Sequence, residues 1–457
     1  LLFIVVGLKP LMILQGCFLL ALAAADCSLE GLPELESSFL QISIQNVTLQ
    51  RVDEVPELPE AWISLENLHM SIYMVIFMLI PIFALAFAGP KWLLTAMIVC
   101  ADSTCTELPM AIFPQVARGP LVLGALVATK PLGQALATPL VMRFTRHREL
   151  YAMKLGLLLQ SAGLLLQGFT PSLGAWFAAR SVQGIASALV LGASMATGNE
   201  ALQEAKESNY VDPMILVYSM YLGVICGTPF GGVGFTLQPF LPFLFLGLAE
   251  LTLMVAVQVK MDAPSKPMPG TPPILFALQY PMIWKPVALL CLIVMYTSSL
   301  QSMVFKVMEE NFELSVGAAS FTWLFQAWPS ILTVLLLGPA AQSIGFRLIM
   351  LTGILLAGTS ALLVDERSLV IVILELVAAG LAIGAENATV PRLLEDVAYR
   401  YFEDPFGVYV LLNLSQQLGY VLGPLTGALI FHVSSFQTMC RVFGVVLLGY
   451  ALSHTAD

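Results

Sequence analysis

Apolar residues in this chain do not alternate with polar ones at strand period. They fall in blocks of about 20 residues, the length a helix needs to cross a hydrocarbon core about 30 Å thick. The blocks cover residues 92–114, 121–141, 151–169, 174–196, 213–235 and 240–259, and then 286–305, 316–340, 348–364, 369–390, 406–431 and 436–452. Between the two sets of six lies a polar, proline-rich stretch at 260–285 containing AlaProSerLysProMetProGlyThrProPro. The pattern predicts an all-α integral membrane protein: residues 91–259 as one six-helix half, 260–285 as a linker, and 286–457 as a second six-helix half.

Residues 1–90 read as an N-terminal extension. Residues 1–25 are apolar and close on three alanines, like a signal peptide or signal anchor. Residues 26–69 are acidic, with Arg51 as their basic residue and a glycosylation sequon at Asn46. Residues 70–88 are apolar again and form a possible extra span. If both ends cross, the acidic stretch lies outside the cytoplasm, which suits the sequon. The alternative is a mispredicted or fused segment. The sequons at Asn387 and Asn413 fall inside predicted spans and are not expected to carry glycan.

Basic residues set the orientation. Arg143, Arg146 and Arg148 sit between the second and third blocks, Lys260, Lys266 and Lys285 in the linker, Arg347 after the eighth block, and Arg392 and Arg400 after the tenth. The intervening loops are poor in Lys and Arg, which places the linker and these loops in the cytoplasm.

An internal repeat relates the halves. The fifth block carries Gly223-x3-Gly227-x-Pro229-x-Gly231-Gly232, and the eleventh carries Gly419-x3-Gly423-Pro424-x2-Gly427. Small residues at this spacing let helix backbones approach closely, and each proline removes a backbone donor. Ordinary close packing would suffice for one such motif. Its recurrence at the same position in both halves points to a duplicated transporter with its site near the bilayer midplane.

Composition agrees: 58% of the 457 residues are hydrophobic and 11% are charged, against roughly 25% charged in a soluble domain. A net charge of -10 and scattered basic residues exclude a nucleic-acid-binding surface. Seven cysteines without CxxC spacing read as small core residues. His69, His147, His432 and His454 are dispersed, and HExxH, GxSxG and phosphate-loop patterns are missing, so no enzyme, metal site or cofactor is expected. The partners expected are the lipid bilayer, a small organic cation and protons, with the chain acting as a monomer.

Ionisable residues inside spans are costly and mark candidate sites. Asp102 and Glu107 lie in the first span, Lys130 in the second, Arg180 opens the fourth, and Glu386 lies late in the tenth, while Lys154 and Glu250 are read as nearer span ends. Asp102 and Lys130 on neighbouring helices can form a buried ion pair that a proton or cation breaks; the alternative is a static bridge fixing helix register. Arg180 is either a ligand contact or a side chain snorkelling to the interface. Glu107 reads as a pore-lining or helix-contact residue. Tyr296, Tyr409 and Tyr420 offer aromatic faces to a cation, or ordinary packing.

These residues give the chain a resemblance to the major facilitator superfamily, and within it to the vesicular amine transporter family. The resemblance covers residues 92–452. It rests on Asp102 twelve residues before Pro114, on Ala128-Thr129-Lys130, on Arg180-Ser181-Val182-Gln183-Gly184, on Pro229-Phe230-Gly231, and on Gly419-Tyr420 with Gly423-Pro424. It implies a twelve-helix bundle of two six-helix halves and proton-coupled antiport of amines across a vesicle or plasma membrane. Asp102, Lys130, Arg180, Gln301, Asn387 and Asn413 would contact substrate, Asp102 and Glu386 would carry protons, and Gly227, Pro229, Gly231, Gly423 and Pro424 would serve conformational change. The departures are Gln301 and Asn413, which align with acids of the family's seventh and eleventh helices; the family's tenth-helix Asp aligns with Asn387 by one anchor and with Glu386 by another. Amides do not release protons, so the resemblance leaves open a multidrug-type antiporter, or a chain that has lost coupling and works as a facilitator or interaction protein.

Overall fold

The computed structural model describes residues 65–117, 119–145, 148–207, 215–261, 281–401 and 406–455. Residues 1–64, with the Asn46 sequon, and most of the 260–285 linker lie outside the described residues.

Among the described residues the chain is helical throughout. The helices are α1 (Leu65–Ala88), α2 (Lys91–Glu107), α3 (Phe113–Val116), α4 (Pro120–Thr145), α5 (Glu149–Phe169), α6 (Leu173–Glu207), α7 (Ile215–Leu237) and α8 (Leu241–Lys260). They continue as α9 (Pro281–Phe312), α10 (Val316–Thr322), α11 (Leu324–Ile344), α12 (Phe346–Leu363), α13 (Leu369–Tyr401), α14 (Phe406–Val433) and α15 (Phe436–Thr455). Counting α2–α3 and α10–α11 as broken spans, α2 to α15 form the twelve spans read from the sequence. The first break is a turn over residues 108–112 beside Pro109, which cannot donate a helical hydrogen bond. The fully described connections run from one residue to five. The tightest is Gly345 alone between α11 and α12, at φ 100°, a backbone angle that favours glycine.

Eight described segments are long and apolar enough to cross a membrane by length and composition. The spans outside that set include α2, with Asp102 and Glu107, α6, with Arg180 and Gln183, and α14, with Asn413, Gln416 and Gln417. α2 falls short on length, with 17 residues before the turn at 108–112. Outward faces carry exposed Leu136, Leu336, Leu363 and Val433, as lipid-facing surfaces do. The chain is a multi-pass membrane protein.

Each half is built on one glycine-lined crossing. On α7, Gly223, Gly227 and Gly231 lie against Cys100, Thr104 and Leu108 of α2 so closely that a Cβ on any of them would collide with backbone or Cβ atoms. On α14, Gly419, Gly423 and Gly427 lie in the same way against Cys291, Met295 and Ser299 of α9. The two crossings match position for position, as the repeat requires. In the second, Ser298 and Ser299 also donate to the carbonyls of Gly419 (3.1 Å) and Gly423 (2.7 Å).

The halves meet through α4 against α14 and through α7 against α10 and α11. Gly124 of α4 abuts Pro424 and Ala428 of α14, and Gly232 of α7 abuts Val316 and Ser320 of α10. These contacts lie at the end of the bundle remote from Lys260 and the linker. The extra helix α1 packs along α8, and Lys260 at the end of α8 donates to the carbonyls of Ala86 (3.2 Å) and Gly89. The end of α1 is thereby fixed at the linker side.

Candidate functional site

The N-terminal half holds a buried polar network. Asp102, on α2, and Lys130, on α4, pair at 3.7 Å between Oδ1 and Nζ, with their side chains 5% and 1% exposed. Pro131 follows Lys130, and Gly184 of α6 sits against the Lys130 carbonyl, so α4 and α6 cross at backbone contact there. Lys130 Nζ also donates to the Asp102 carbonyl (3.3 Å) and to Thr106 Oγ1. Gln160 of α5 donates its amide to Asp102 Oδ1.

Glu250 of α8 lies within electrostatic reach of Asp102 and Lys130. It is fully buried at the middle of α8 rather than near a span end, and its carboxyl oxygens accept no hydrogen bond among the described residues. One lysine therefore faces two carboxyls.

Arg180 is fully buried, about 10 Å into α6, which starts at Leu173. Snorkelling to the interface is ruled out. Its Nη1 donates to the Cys105 carbonyl and to Gln183 Oε1, both at 3.3 Å, and its guanidinium lies 5.3 Å from the centre of the Phe113 ring.

A second cluster spans the two halves. Gln301 of α9 donates its amide to Glu107 Oε2 at the end of α2. Thr228 of α7 donates to the same oxygen at 3.3 Å. Glu107 is 5% exposed. Tyr420 of α14, 37% exposed, lies within electrostatic reach of Glu107 and of Tyr221 on α7. Tyr221 in turn faces Ser330 of α11 and Asn387 of α13. Asn387 accepts from Gln416 of α14 (3.3 Å), and Asn413 accepts from Gln417 one turn further on (3.3 Å).

The residues singled out from sequence thus divide in three. Asp102, Lys130 and Arg180 meet inside one half, while Gln301 and Asn387 lie in the cluster that joins the halves, with Asn413 beside it on α14. Glu386 belongs to neither group. It is fully buried among α13 neighbours, within electrostatic reach of Tyr450 on α15, and its carboxyl oxygens accept no hydrogen bond among the described residues. Of the adjacent pair, Asn387 is the one that faces the other half. Tyr296 is fully buried and donates to Glu375 of α13, so it offers no free ring face. The side chain of Tyr409 lies outside the described residues. Glu107, Gln160, Glu250 and Glu375 were not singled out as site residues by the sequence, although each is an acid or amide inside an apolar block, the signal that flagged Asp102.

A polytopic bundle of two matched six-helix halves, with buried charges within one half and polar bridges between both, is the architecture of a major-facilitator-type protein. Residues 287–454 match the Major Facilitator Superfamily, and the chain is similar to vesicular amine and acetylcholine transporters. It is 25% identical over 339 residues to the chromaffin granule amine transporter of Rattus norvegicus, covering 72% of this chain and 64% of that protein. It is 27% identical over 343 residues to the vesicular acetylcholine transporter of Torpedo marmorata, covering 72% and 66%. The chain thus spans just under two thirds of the length of these relatives. Among solved structures, the fold is similar to the nucleoside transporter NupG (TM-score 0.60, 13% identity, 82% of this chain and 98% of that one). It is also similar to a bacterial homologue of the human lysosomal transporter Spinster in an inward-facing, occupied conformation (TM-score 0.64, 15% identity, 79% and 94%).

Proposed function

We propose that this chain is a secondary transporter exchanging an organic cation, an amine, for protons across a vesicle or plasma membrane. The observation that carries this reading is the Asp102–Lys130 pair. A carboxylate in a low-dielectric bundle binds a cation strongly, because screening by water is weak there. Lys130 already occupies that role at 3.7 Å, so a protonated amine would exchange for the lysine ammonium rather than enter an uncompensated site. The names of the relatives support amines as the substrate class. Rocking of the two matched halves against each other would supply alternating access to the Asp102–Lys130 pair.

The test is uptake of a panel of labelled amines into vesicles carrying the chain, with the interior acidified. Concentrative uptake that collapses when the pH gradient is dissipated is expected. A second reading, a facilitator that has lost coupling, is favoured by the amides at Gln301, Asn387 and Asn413. It predicts amine equilibration without concentration. No amine entry under either condition would overturn both.

A further inference from the structure

We propose that Glu107 is a proton-carrying carboxylate of this chain, placed by α2 opposite Gln301 so that its protonation governs the closure between the halves. The inference rests on the transporter reading. The Glu107 side chain is bonded across to the other half by Gln301 of α9, and within its own half by Thr228 of α7. Both donors reach the same oxygen, Oε2, and the Thr228 hydroxyl lies 3.3 Å from the Glu107 carbonyl as well. Hydrogen bonds to an ionised carboxylate are roughly twice as strong as neutral ones. A proton taken from extracytoplasmic water turns this acceptor into a neutral acid, weakens the bond to Gln301, and lets the halves part at that end. Release of the same proton to cytoplasmic water restores the carboxylate.

Position supports the assignment. Glu107 ends α2, next to the turn at 108–112 and beneath the glycine contacts Gly124–Pro424 and Gly232–Ser320 that close the extracytoplasmic end. Parting the halves there draws α9 away from α2 and breaks the Glu107–Gln301 bond. The ionisable groups facing Glu107 are Arg180 from α6, Lys130 from α4 and Tyr420 from α14; α7 and α9 present Thr228 and Gln301. Asp102, five residues earlier on α2, is held by Lys130 and Gln160 inside its own half, so the two carboxyls serve different surfaces.

A cross-link across the closed end reads the latch without substrate. A Cβ built on Gly317 of α10 lies 3.9 Å from the Cβ of Thr236 on α7, within the span of a disulfide. In a background lacking the native cysteines, Thr236→Cys with Gly317→Cys is oxidised in the full-length protein between pH 7.5 and 5.5. The measured quantity is the ratio of cross-linking with Glu107 to that with Glu107→Gln at each pH, which cancels the thiols' own titration. This ratio should change at least about threefold across the range. The exchanged pair, Glu107→Gln with Gln301→Glu, puts the carboxyl on α9 and should restore the pH dependence. A ratio constant with pH, with both variants monodisperse, overturns the proposal. If Glu107→Gln does not fold, Gln301→Leu takes its place as the reference, because it keeps Glu107 and removes its partner in the other half; a ratio of unmodified chain to Gln301→Leu that is constant with pH overturns the proposal equally. A pH-dependent cross-link in a chain that moves no amine would sink the transport reading and leave the latch intact.

Discussion

Removing Lys130 should harm this protein more than neutralising Asp102, although the two form one ion pair. Lys130→Ala takes away an ammonium 3.7 Å from Asp102 Oδ1, an attraction of about 4.5 kcal/mol at an effective dielectric constant of about 20. It leaves Asp102 with Gln160 alone and Glu250 with no cation beside it. Stranding one member of a buried pair costs about 3–5 kcal/mol. Asp102→Asn keeps the shape and keeps two acceptors for Lys130, the residue's own carbonyl and Thr106 Oγ1. It also leaves the Glu250 carboxyl facing Lys130 as a group that can ionise beside it, so the loss is one charged hydrogen bond, about 1.5–3 kcal/mol. The double variant Lys130→Ala with Asp102→Asn should recover part of the stability lost in Lys130→Ala, and adding Glu250→Gln should recover more. The assay is thermal unfolding and monodispersity in detergent on all four proteins, with amine binding on those that fold. Well-folded Asp102→Asn should not bind amine. If Asp102→Asn is as unstable as Lys130→Ala, or if the Glu250 change adds no recovery, the three-charge account is wrong. Retained amine affinity in folded Asp102→Asn would remove Asp102 from the substrate site.

Further outcomes follow from the same description. Protease added from the cytoplasmic side should cut within 262–280, between the Lys260 end of α8 and the start of α9; cleavage only from the other side would invert the topology. Because α1 ends beside Lys260, its first residue, Leu65, lies at the far end, and expression in glycosylating cells should give a mass shift abolished by Asn46→Gln; its absence would argue against α1 as a full span. Gly231→Ala, which drives a Cβ into the Leu108 carbonyl, should abolish monodisperse protein, whereas Gly449→Ala, with nothing within 4 Å, should be neutral or raise stability by up to about 1 kcal/mol. Asn413→Asp should steepen the pH dependence of amine uptake; an unchanged profile would show that α14 takes no part in coupling.

The fold was largely legible because membrane burial writes itself into the sequence as block length, and duplication as repeated glycines. The Gly223/Gly227 and Gly419/Gly423 motifs, read as close packing, are the residues on which α2–α7 and α9–α14 cross. The Asp102–Lys130 pair was legible too, since opposite charges in adjacent apolar blocks have few other places to go. Helix rotation was not legible. Asp102 and Glu107 sit about 140° apart around α2, and Glu386 and Asn387 about 100° apart around α13, so one of each pair faces the interior and the other the opposite half. Blocks hydrophobic nearly all round carry no phase to say which. Arg180 is a related case: the block read at 174–196 already gave it a six-residue lead-in, but nothing in the sequence said that its side chain turns inward from α6.

The glycine contacts have a mechanical consequence. Within each half, backbone lies on backbone along α2–α7 and α9–α14, and in the second crossing serine hydroxyls bolt the two helices together. Where the halves meet, Gly124 and Gly232 make the same smooth seats. Interlocked side chains would have to ratchet past one another, each changing rotamer on the way. Faces without side chains separate like plates, and what resists their parting is the adhesion of a few polar spots. A joint of that kind is cheap to open and easy to bias, so a single proton or cation is enough to decide which way it stands.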